Sequence, residues 1–296
     1  MTIPAIPHDT QEKGPPPTVT KPKRPARPAH EATVTGRYQL SPNMVRLSLN
    51  APALIGRELE HTDHYIKLLF VPEGADYAWP YDLPTIRETK PRAEHPVMRT
   101  YTFRRVDTAT GEFELDFVIH GDAGLAAPWA RDAEVGEKIG FSGPGGAWHP
   151  EAEYEHFVLA GDESAGPAIA AAIETLPEGT TASAYVEVDG PEEEFEMPQH
   201  DAVELTWVHR SDDVAGSALS DAVRAAGYPE KKTSWFIHGV AEMIKEMRRF
   251  LFIEGEVAKA DVSISGYWRL GMTEDQWQAS KQEFNAEIEQ DEAAAS

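Results

Sequence analysis

The sequence predicts a two-domain β plus α/β protein, an antiparallel β-barrel followed by a Rossmann-like domain with a parallel sheet. Two observations carry this. From about residue 30 to 148, short apolar runs are separated by turn signals, the texture of a small antiparallel barrel. Beyond Glu155, short apolar runs alternate with helical segments, which implies parallel strands with helices on both faces of one sheet. At 296 residues the chain can give each of two domains its own core. It divides into an arm at 1–29, a barrel at 30–150, a nucleotide-type α/β domain at 151–272, and a C-terminal helix with an acidic tail at 273–296.

Composition limits the chemistry. Hydrophobic residues make up 41% of the chain, enough for folded cores. No apolar run approaches a membrane span, and the first 29 residues lack the apolar stretch of a secretory leader. The expectation is a cytoplasmic protein with no stable membrane association. The absence of cysteine excludes disulfides, thiolate nucleophiles and cysteine-ligated zinc or iron–sulfur centres. Redox chemistry would have to come from a bound cofactor. Fifty acidic against 27 basic residues give a net charge of −23, which argues against a nucleic-acid partner. An anionic ligand would need a local basic pocket.

Taken in order, the arm carries Pro15, Pro16, Pro17, Pro22, Pro25 and Pro28 among Lys21, Lys23, Arg24 and Arg27, the composition of a disordered basic segment. Barrel strands are expected at Val34 to Leu40, Val45 to Leu49, Tyr65 to Val71, Arg99 to Arg105, Phe113 to Ile119 and Lys138 to Phe141. The stretch from Gly74 to Pro96 holds Tyr77, Trp79 and Tyr81 and reads as an ordered flap. Strands of the second domain are expected at Phe157 to Ala160, Ala184 to Val188, Leu205 to Val208, Trp235 to Ile237 and Val262 to Ile264. Pro167, at a first helical position, opens a helix through Leu176, and Ala218 to Ala226 forms another. Val240, Met243, Ile244, Met247 and Leu251 share one face of a third. A capping box, Thr273-x-x-Gln276, starts a last helix with Trp277, Phe284 and Ile288 as a sparse apolar stripe, ahead of the acidic tail.

The stretch Arg99-Thr100-Tyr101-Thr102-Phe103 has the chemistry of a flavin clamp. Arg99 offers a charged fork for a diphosphate and Tyr101 a flat ring for an isoalloxazine. Thr102 adds a short donor and acceptor for a flavin edge. A barrel strand with a core tyrosine and surface arginines accounts for the same residues. The end of the next strand, Asp116 to Gly121, places His120 beside Gly121, where it can reach a flavin edge or cap the strand. Gly124, Ala126 and Ala127, ahead of Trp129, let backbone N–H groups approach a diphosphate. Gly143 to Trp148 reads as a turn leaving the barrel or as a cofactor contact.

In the second domain, Gly161-Asp162-Glu163-Ser164 stands where the first strand meets its helix, the place where open α/β sheets bind nucleotides. It matches neither a dinucleotide fingerprint nor a P-loop, and Ser164 is not in a hydrolase elbow. His209-Arg210 ends a strand of the same sheet. An arginine there can grip an adenosine 2′-phosphate, favouring NADPH over NADH, or make a surface ion pair. His61-x-x-His64 lacks the acid and third ligand of a zinc site and is taken as structural, so no metal site is expected.

In sequence order, R-T-Y-T-F-R, D-F-V-I-H-G, G-L-A-A-P-W-A, L-A-G-D-E-S-A-G-P-A-I, T-W-V-H-R and G-Y-W-R-L-G resemble the siderophore-interacting protein family, flavin-dependent ferric-siderophore reductases of the ferredoxin-reductase-like superfamily. The resemblance spans roughly Ala32 to Gly271. It implies an FAD-binding barrel and a nicotinamide-nucleotide domain. Arg99, Tyr101, Thr102, His120 and Gly121 match the flavin motifs, and Gly124 to Ala130 match the phosphate-binding turn. Gly161, Asp162 and Glu163 match the nicotinamide side, and Tyr267, Trp268 and Arg269 the C-terminal Y-W-R. Two departures stand out. Ala127 and Pro128 replace a serine and an arginine of the phosphate turn, and Gly239-Val240 replaces a G-E.

The implied activity passes hydride from NAD(P)H to FAD and then single electrons to Fe(III) in a siderophore. Lys67 and Arg269 are candidate cations for an anionic ferric siderophore, and no general acid or base is required. A low-molecular-weight or ferredoxin-type electron donor is an alternative to NAD(P)H. Two other functions fit the same motifs: an NAD(P)H:flavin or ferredoxin-type reductase with a protein acceptor, and a siderophore-binding protein without turnover.

Overall fold

The computed structural model describes residues 28–119 and 124–295; the expected arm up to residue 27, His120 and Gly121 lie outside them. Six strands come first: β1 (Ala29–Ser41), β2 (Met44–Asn50), β3 (Tyr65–Phe70), β4 (Val97–Asp107), β5 (Glu112–Val118) and β6 (Lys138–Gly145). They close into a barrel in the order β1-β2-β5-β4-β3-β6, every pair antiparallel. Alternation makes the barrel: Leu47 and Leu49, Ile66 and Leu68, and Phe113, Leu115 and Phe117 recur at period two and bury one face of each strand in a single core. Asp107 accepts from the Ala109 N–H (2.8 Å), closing the β4–β5 turn.

The expected flap is not plain loop. It contains α1 (Leu83–Thr89), whose N-terminus is capped by Asp82 accepting from the Thr85 N–H (3.2 Å). Only Leu83 and Ile86 of this helix are buried, too short a stripe for periodicity to detect. Trp79 meets Tyr81 edge-on at 5.0 Å, and a Cβ at Gly140 of β6 would stand 2.8 Å from the Tyr81 ring. The flap therefore rests on the barrel at Gly140. Between β5 and β6 lies a short helix, α2 (Ala126–Asp132).

The second domain runs β7 (His156–Asp162), α3 (Gly166–Glu174), β8 (Thr181–Val188), β9 (Val203–His209), α4 (Ser217–Ala226), β10 (Thr233–Val240), α5 (Ala241–Arg248) and β11 (Val262–Trp268). All five strands are parallel, in the order β11-β10-β7-β8-β9. Helices cover both faces: Ile169 and Ile173 of α3 pack with Leu159 and Phe236, while Leu219, Met243 and Met247 of α4 and α5 pack with Val158 and Ile237. Strand order reverses beside β7, so the crevice outside the ends of β7 and β10 is the switch point. The helix opened by Pro167 begins one residue earlier, at Gly166, and ends at Glu174, so Leu176 falls beyond it. The face ending at Leu251 passes from α5 into a π-helical turn at Arg249–Glu254.

The last helix, α6 (Glu274–Ala295), starts on its capping box, with reciprocal bonds between Thr273 and Gln276 of 2.9 and 3.3 Å. Trp277, Phe284 and Ile288 bury its apolar stripe against Ala241 of α5. The expected acidic tail is in fact helix. Glu292 is buried because Arg248 (2.6 Å) and Lys259 (2.8 Å) neutralise it.

The domains meet over a wide front. Arg104 of β4 makes two parallel bonds to Glu174 of α3 (2.8 and 3.0 Å). Glu193 accepts from Ser41 (2.7 Å) and Asn43 (2.7 Å) in the β1–β2 hairpin. Among the described residues no helix is long and apolar enough to cross a membrane.

Candidate functional site

The clamp strand occupies the first half of β4. Tyr101 packs on the barrel core, its ring 4.2 Å from that of Phe117, and Trp129 of α2 meets the same Phe117 edge-on at 5.8 Å. Burial and the nearby Glu274 carboxylate push the Tyr101 hydroxyl well above its ordinary range, so it stays protonated. Thr100 Oγ1 is buried and has no hydrogen-bond partner among the described residues. A native structure seldom leaves a buried hydroxyl orphaned, and this one lies next to Arg99. Gly124, at the α2 entry, has φ of +91° and open space where a Cβ would stand. Ala126 and Ala127 are buried, and Trp129 donates its indole N–H to Glu137 (2.7 Å). An orphaned hydroxyl beside a guanidinium, on the strand that carries Tyr101, fits a phosphate-bearing aromatic cofactor.

Arg99 is already engaged. Its Nη2 donates to Asp275 (3.1 Å), Nε faces Glu274 (3.8 Å) and Nη1 donates to the Met98 carbonyl (2.8 Å). Glu274 also accepts from the Thr100 N–H (3.1 Å). The first turn of α6 thus lies over the strand expected to grip a diphosphate. Lys67 of β3 faces the same turn, close enough to Lys281 of α6 to lower its proton affinity, burial being the larger cause. Lys281 donates to the Gly266 carbonyl (2.7 Å) and to Ser265 (3.1 Å). Arg269 is directed elsewhere, its guanidinium 3.5 Å from Glu242 and 4.9 Å above the Phe284 ring.

At the switch point, Asp162 is fully buried and saturated. It accepts from the Val240 N–H (2.8 Å), the Trp268 indole N–H (2.8 Å), the Ser164 N–H (3.0 Å) and the Ser164 hydroxyl. It ties the ends of β7, β10 and β11 together, so neither Asp162 nor the Trp268 N–H is open to a nucleotide. The same knot demands two glycines. A Cβ at Gly239, where φ is +144°, would stand 2.6 Å from Asp162 Oδ2, and one at Gly161 would stand 2.6 Å from the His238 carbonyl.

Arg210 is held by Glu163 (2.7 Å) and Asp189 (2.9 Å) and lies 3.7 Å from the buried Glu187. Glu187 in turn accepts from the Gly216 and Leu219 N–H groups at the start of α4. Burial, with Asp162 next to it, raises the Glu163 carboxyl to about 7 against the pull of Arg210. The expected grip on a 2′-phosphate is thus a guanidinium spent on carboxylates. His209 bonds Glu194 (2.8 Å). A cavity of about 240 Å3 opens between the domains, with Asn43, Val118, Ile119, Glu163, Asp189 and Glu193 among its walls.

Three residues of the region carry no motif. Glu274 and Lys281 belong to α6, where acid and lysine read as solvent-facing charge. His238 lies inside β10: Nδ1 is 3.0 Å from the Tyr267 hydroxyl, Nε2 is 2.9 Å from Ser263 Oγ, and its ring stacks on Phe236 at 3.8 Å. Thr102 approaches the Tyr267 hydroxyl from the barrel side. The clamp strand and the Y-W-R strand therefore meet at Thr102 and Tyr267. His61 packs against both His64 and His149, the Nδ1 atoms of His61 and His149 being 3.3 Å apart. Among the described residues no group of three or more ligand-type side chains is arranged to hold a metal ion.

Residues 33–148 match the siderophore-interacting FAD-binding domain, and residues 154–271 match the siderophore-interacting protein domain. An uncharacterised protein of Mycobacterium tuberculosis is 40% identical over 273 residues, covering 87% of this chain and 96% of that one. The ferric vibriobactin reductase ViuB of Vibrio cholerae is 28% identical over 250 residues, covering 80% of this chain and 88% of that one. The crystal structure of a siderophore utilization protein from T. fusca superimposes with a TM-score of 0.71 at 31% identity, covering 83% of this chain and 94% of that one. The chain belongs to the siderophore-interacting protein family and has the two-domain architecture of ferredoxin-reductase-like flavoproteins.

Proposed function

We propose that this protein is an FAD-dependent ferric-siderophore reductase that takes electrons from NAD(P)H. The observation that carries this reading is the junction of Thr102 and Tyr267, where the clamp strand of the barrel meets the last strand of the nucleotide-type domain. FAD supplies the electron conversion, accepting a hydride and releasing electrons singly to Fe(III).

The chain's own residues bind and orient. Tyr101, itself braced on Phe117, and Thr102 would orient the flavin ring. Arg99, the free hydroxyl of Thr100 and the open backbone at Gly124 receive the diphosphate, compensating for the hydroxyl and cation missing at Ala127 and Pro128. Lys67 and Lys281, two cations brought together within an acidic chain, draw an anionic ferric siderophore by electrostatics. Arg269, held by Glu242 and Phe284, serves this attraction only at longer range. Oxygen ligands hold Fe(II) less tightly than Fe(III) because its charge is lower, so reduction releases the metal.

The deciding experiment is the visible spectrum of the purified protein with FAD, before and after anaerobic NAD(P)H and then a ferric siderophore. Bleaching by NAD(P)H and recovery with the siderophore, with Fe(II) trapped by a chelator, is the expected result. Bleaching by a reduced ferredoxin alone would replace the electron donor. Failure to take up FAD would overturn the proposal and leave a siderophore-binding protein without turnover.

A further inference from the structure

The residues just ahead of β3 grip the segment that joins the barrel to the second domain. His61 Nδ1 lies 3.3 Å from His149 Nδ1, and the Thr62 N–H donates to the Trp148 carbonyl (3.0 Å). Asp63 Oδ1 accepts from two successive N–H groups, those of Ala147 (2.8 Å) and Trp148 (3.0 Å). His64 Nδ1 donates to the Gly145 carbonyl (3.0 Å), and a Cβ at Gly146 would stand only 2.5 Å from that nitrogen. The two strips of chain thus form a clasp, with Asp63 at its centre. Asp63 is 8% exposed, so removing its carboxylate leaves two N–H groups short of an acceptor that solvent does not readily replace.

The indole of Trp148 leaves this clasp on the side of the second domain. Its ring lies 4.7 Å from that of Phe236 in β10 and 6.4 Å from that of Phe157 in β7, against the core that includes α3. The backbone of Trp148 is therefore held by the barrel and its side chain by the sheet. Both attachments are close to the candidate site. Tyr65, two residues after Asp63, pairs with Thr102 of the clamp strand, and Phe236 lies on β10 ahead of Gly239 at the switch point. The bridges from Arg104 to Glu174 and from Glu193 to Asn43 are polar, and water can take the place of either partner as domains part. Withdrawing an indole from an aromatic cluster exposes apolar area that water does not compensate.

We propose that Asp63 is a positioning residue: by clasping the connecting segment it fixes Trp148, and Trp148 fixes the separation of the clamp strand from the switch point of the sheet. Its consequence for the reaction rests on the reductase reading above. Hydride transfer between a nicotinamide held on the sheet and a flavin held on the barrel depends on how far apart the two domains hold them. A misplacement of about 1 Å can cost about a hundredfold in rate. A clasped connector gives a cleft already at its working width, which no domain closure has to create.

The chain contains no cysteine, so A109C and E230C, at exposed positions in the two domains, take a pair of spin labels and no stray one. In the flavin-free protein the distance between the labels should be single and narrow. D63A and W148L should broaden or shift it. D63N, whose amide oxygen can still accept both N–H groups, should restore it. With FAD bound, stopped-flow bleaching at saturating NAD(P)H should slow about tenfold or more in D63A and W148L, with the half-saturating nucleotide concentration unchanged and the D63N rate close to that of wild type. A wild-type distance and rate in both D63A and W148L would overturn the proposal, as would a D63N protein that fails like D63A. An altered distance at an unchanged rate would confine Asp63 to folding and overturn its positioning role. A wild-type protein that NAD(P)H does not bleach would remove the reductase reading, while the distances would still decide whether Asp63 sets the separation of the domains.

Discussion

Arg99 donates to Asp275 across 3.1 Å, joining the arginine of the clamp strand to the first turn of the C-terminal helix. Glu274, one residue earlier, faces the same guanidinium and holds the Thr100 N–H. Two carboxylates therefore stand where a diphosphate would be gripped, and binding must exchange one anion for another. Asp275 is largely exposed, so the pair is worth no more than about 1 kcal/mol. We expect D275N, alone or with E274Q, to raise FAD affinity about two- to fivefold, and R99A to lower it by about tenfold or more. Quenching of flavin fluorescence during titration of the apoprotein measures both. Equal losses in all three variants would mean that the acids support the site rather than compete for it.

Asp162 gives a prediction about stability. Its carboxylate serves the Val240, Trp268 and Ser164 N–H groups in the interior. D162A leaves these donors without an acceptor, and each buried unpaired group costs about 1–3 kcal/mol. We expect a loss of roughly 3–5 kcal/mol in urea unfolding, with a smaller loss for D162N. Trp268 should shift its emission as the indole N–H loses its partner. A variant of wild-type stability and altered nicotinamide affinity would move Asp162 from scaffold to ligand contact.

How much of this was legible in the sequence varies with the kind of signal. The strands of both domains were legible because residues such as Leu47 and Leu49, or the unbroken run Phe157 to Ala160, carry the burial pattern along the chain itself. Helix α1 was not, since its two buried residues make no period and Pro84 interrupts the reading. The clamp stretch was legible as a strand from its alternation. What those residues touch was not: Arg99 meets acids 175 and 176 positions away, and Arg210 meets Glu163, 47 positions away. A guanidinium among carboxylates has the same sequence signature as one awaiting a phosphate. His238 was invisible because one histidine in an apolar strand reads as core, and only the pairing of β10 with β11 brings it to Ser263 and Tyr267.

Arg210 leads to a prediction about the nucleotide. Glu163, Asp189 and Glu187 surround its guanidinium, so a 2′-phosphate arriving there meets carboxylates. We expect NADH to bleach the flavin with a kcat/KM about tenfold or more above that of NADPH, corresponding to about 1.4 kcal/mol. R210M should lose about 3–5 kcal/mol of stability because it strands buried acids, and should leave the NADH to NADPH ratio unchanged. A clear preference for NADPH that R210M abolishes would put Arg210 back on the phosphate.

The buried imidazole of His238 makes an acid-sensitivity prediction whose sign can be worked out. In the unfolded chain a histidine titrates near 6.5, whereas burial holds His238 at about 3 in the fold. Between those values the unfolded state binds a proton that the folded state refuses. Stability must therefore fall as pH drops through 6.5 toward 3, by up to about 1.4 kcal/mol per pH unit from this residue. H238F removes the contribution. Its urea midpoint should change less than that of wild type between pH 7 and pH 4.5, whatever its absolute stability at pH 7. His30, His64 and His156, also lowered by burial, contribute the same background to both proteins and cancel in the comparison. Parallel pH profiles for the two proteins would mean that His238 takes up its proton in the fold as readily as in the unfolded chain.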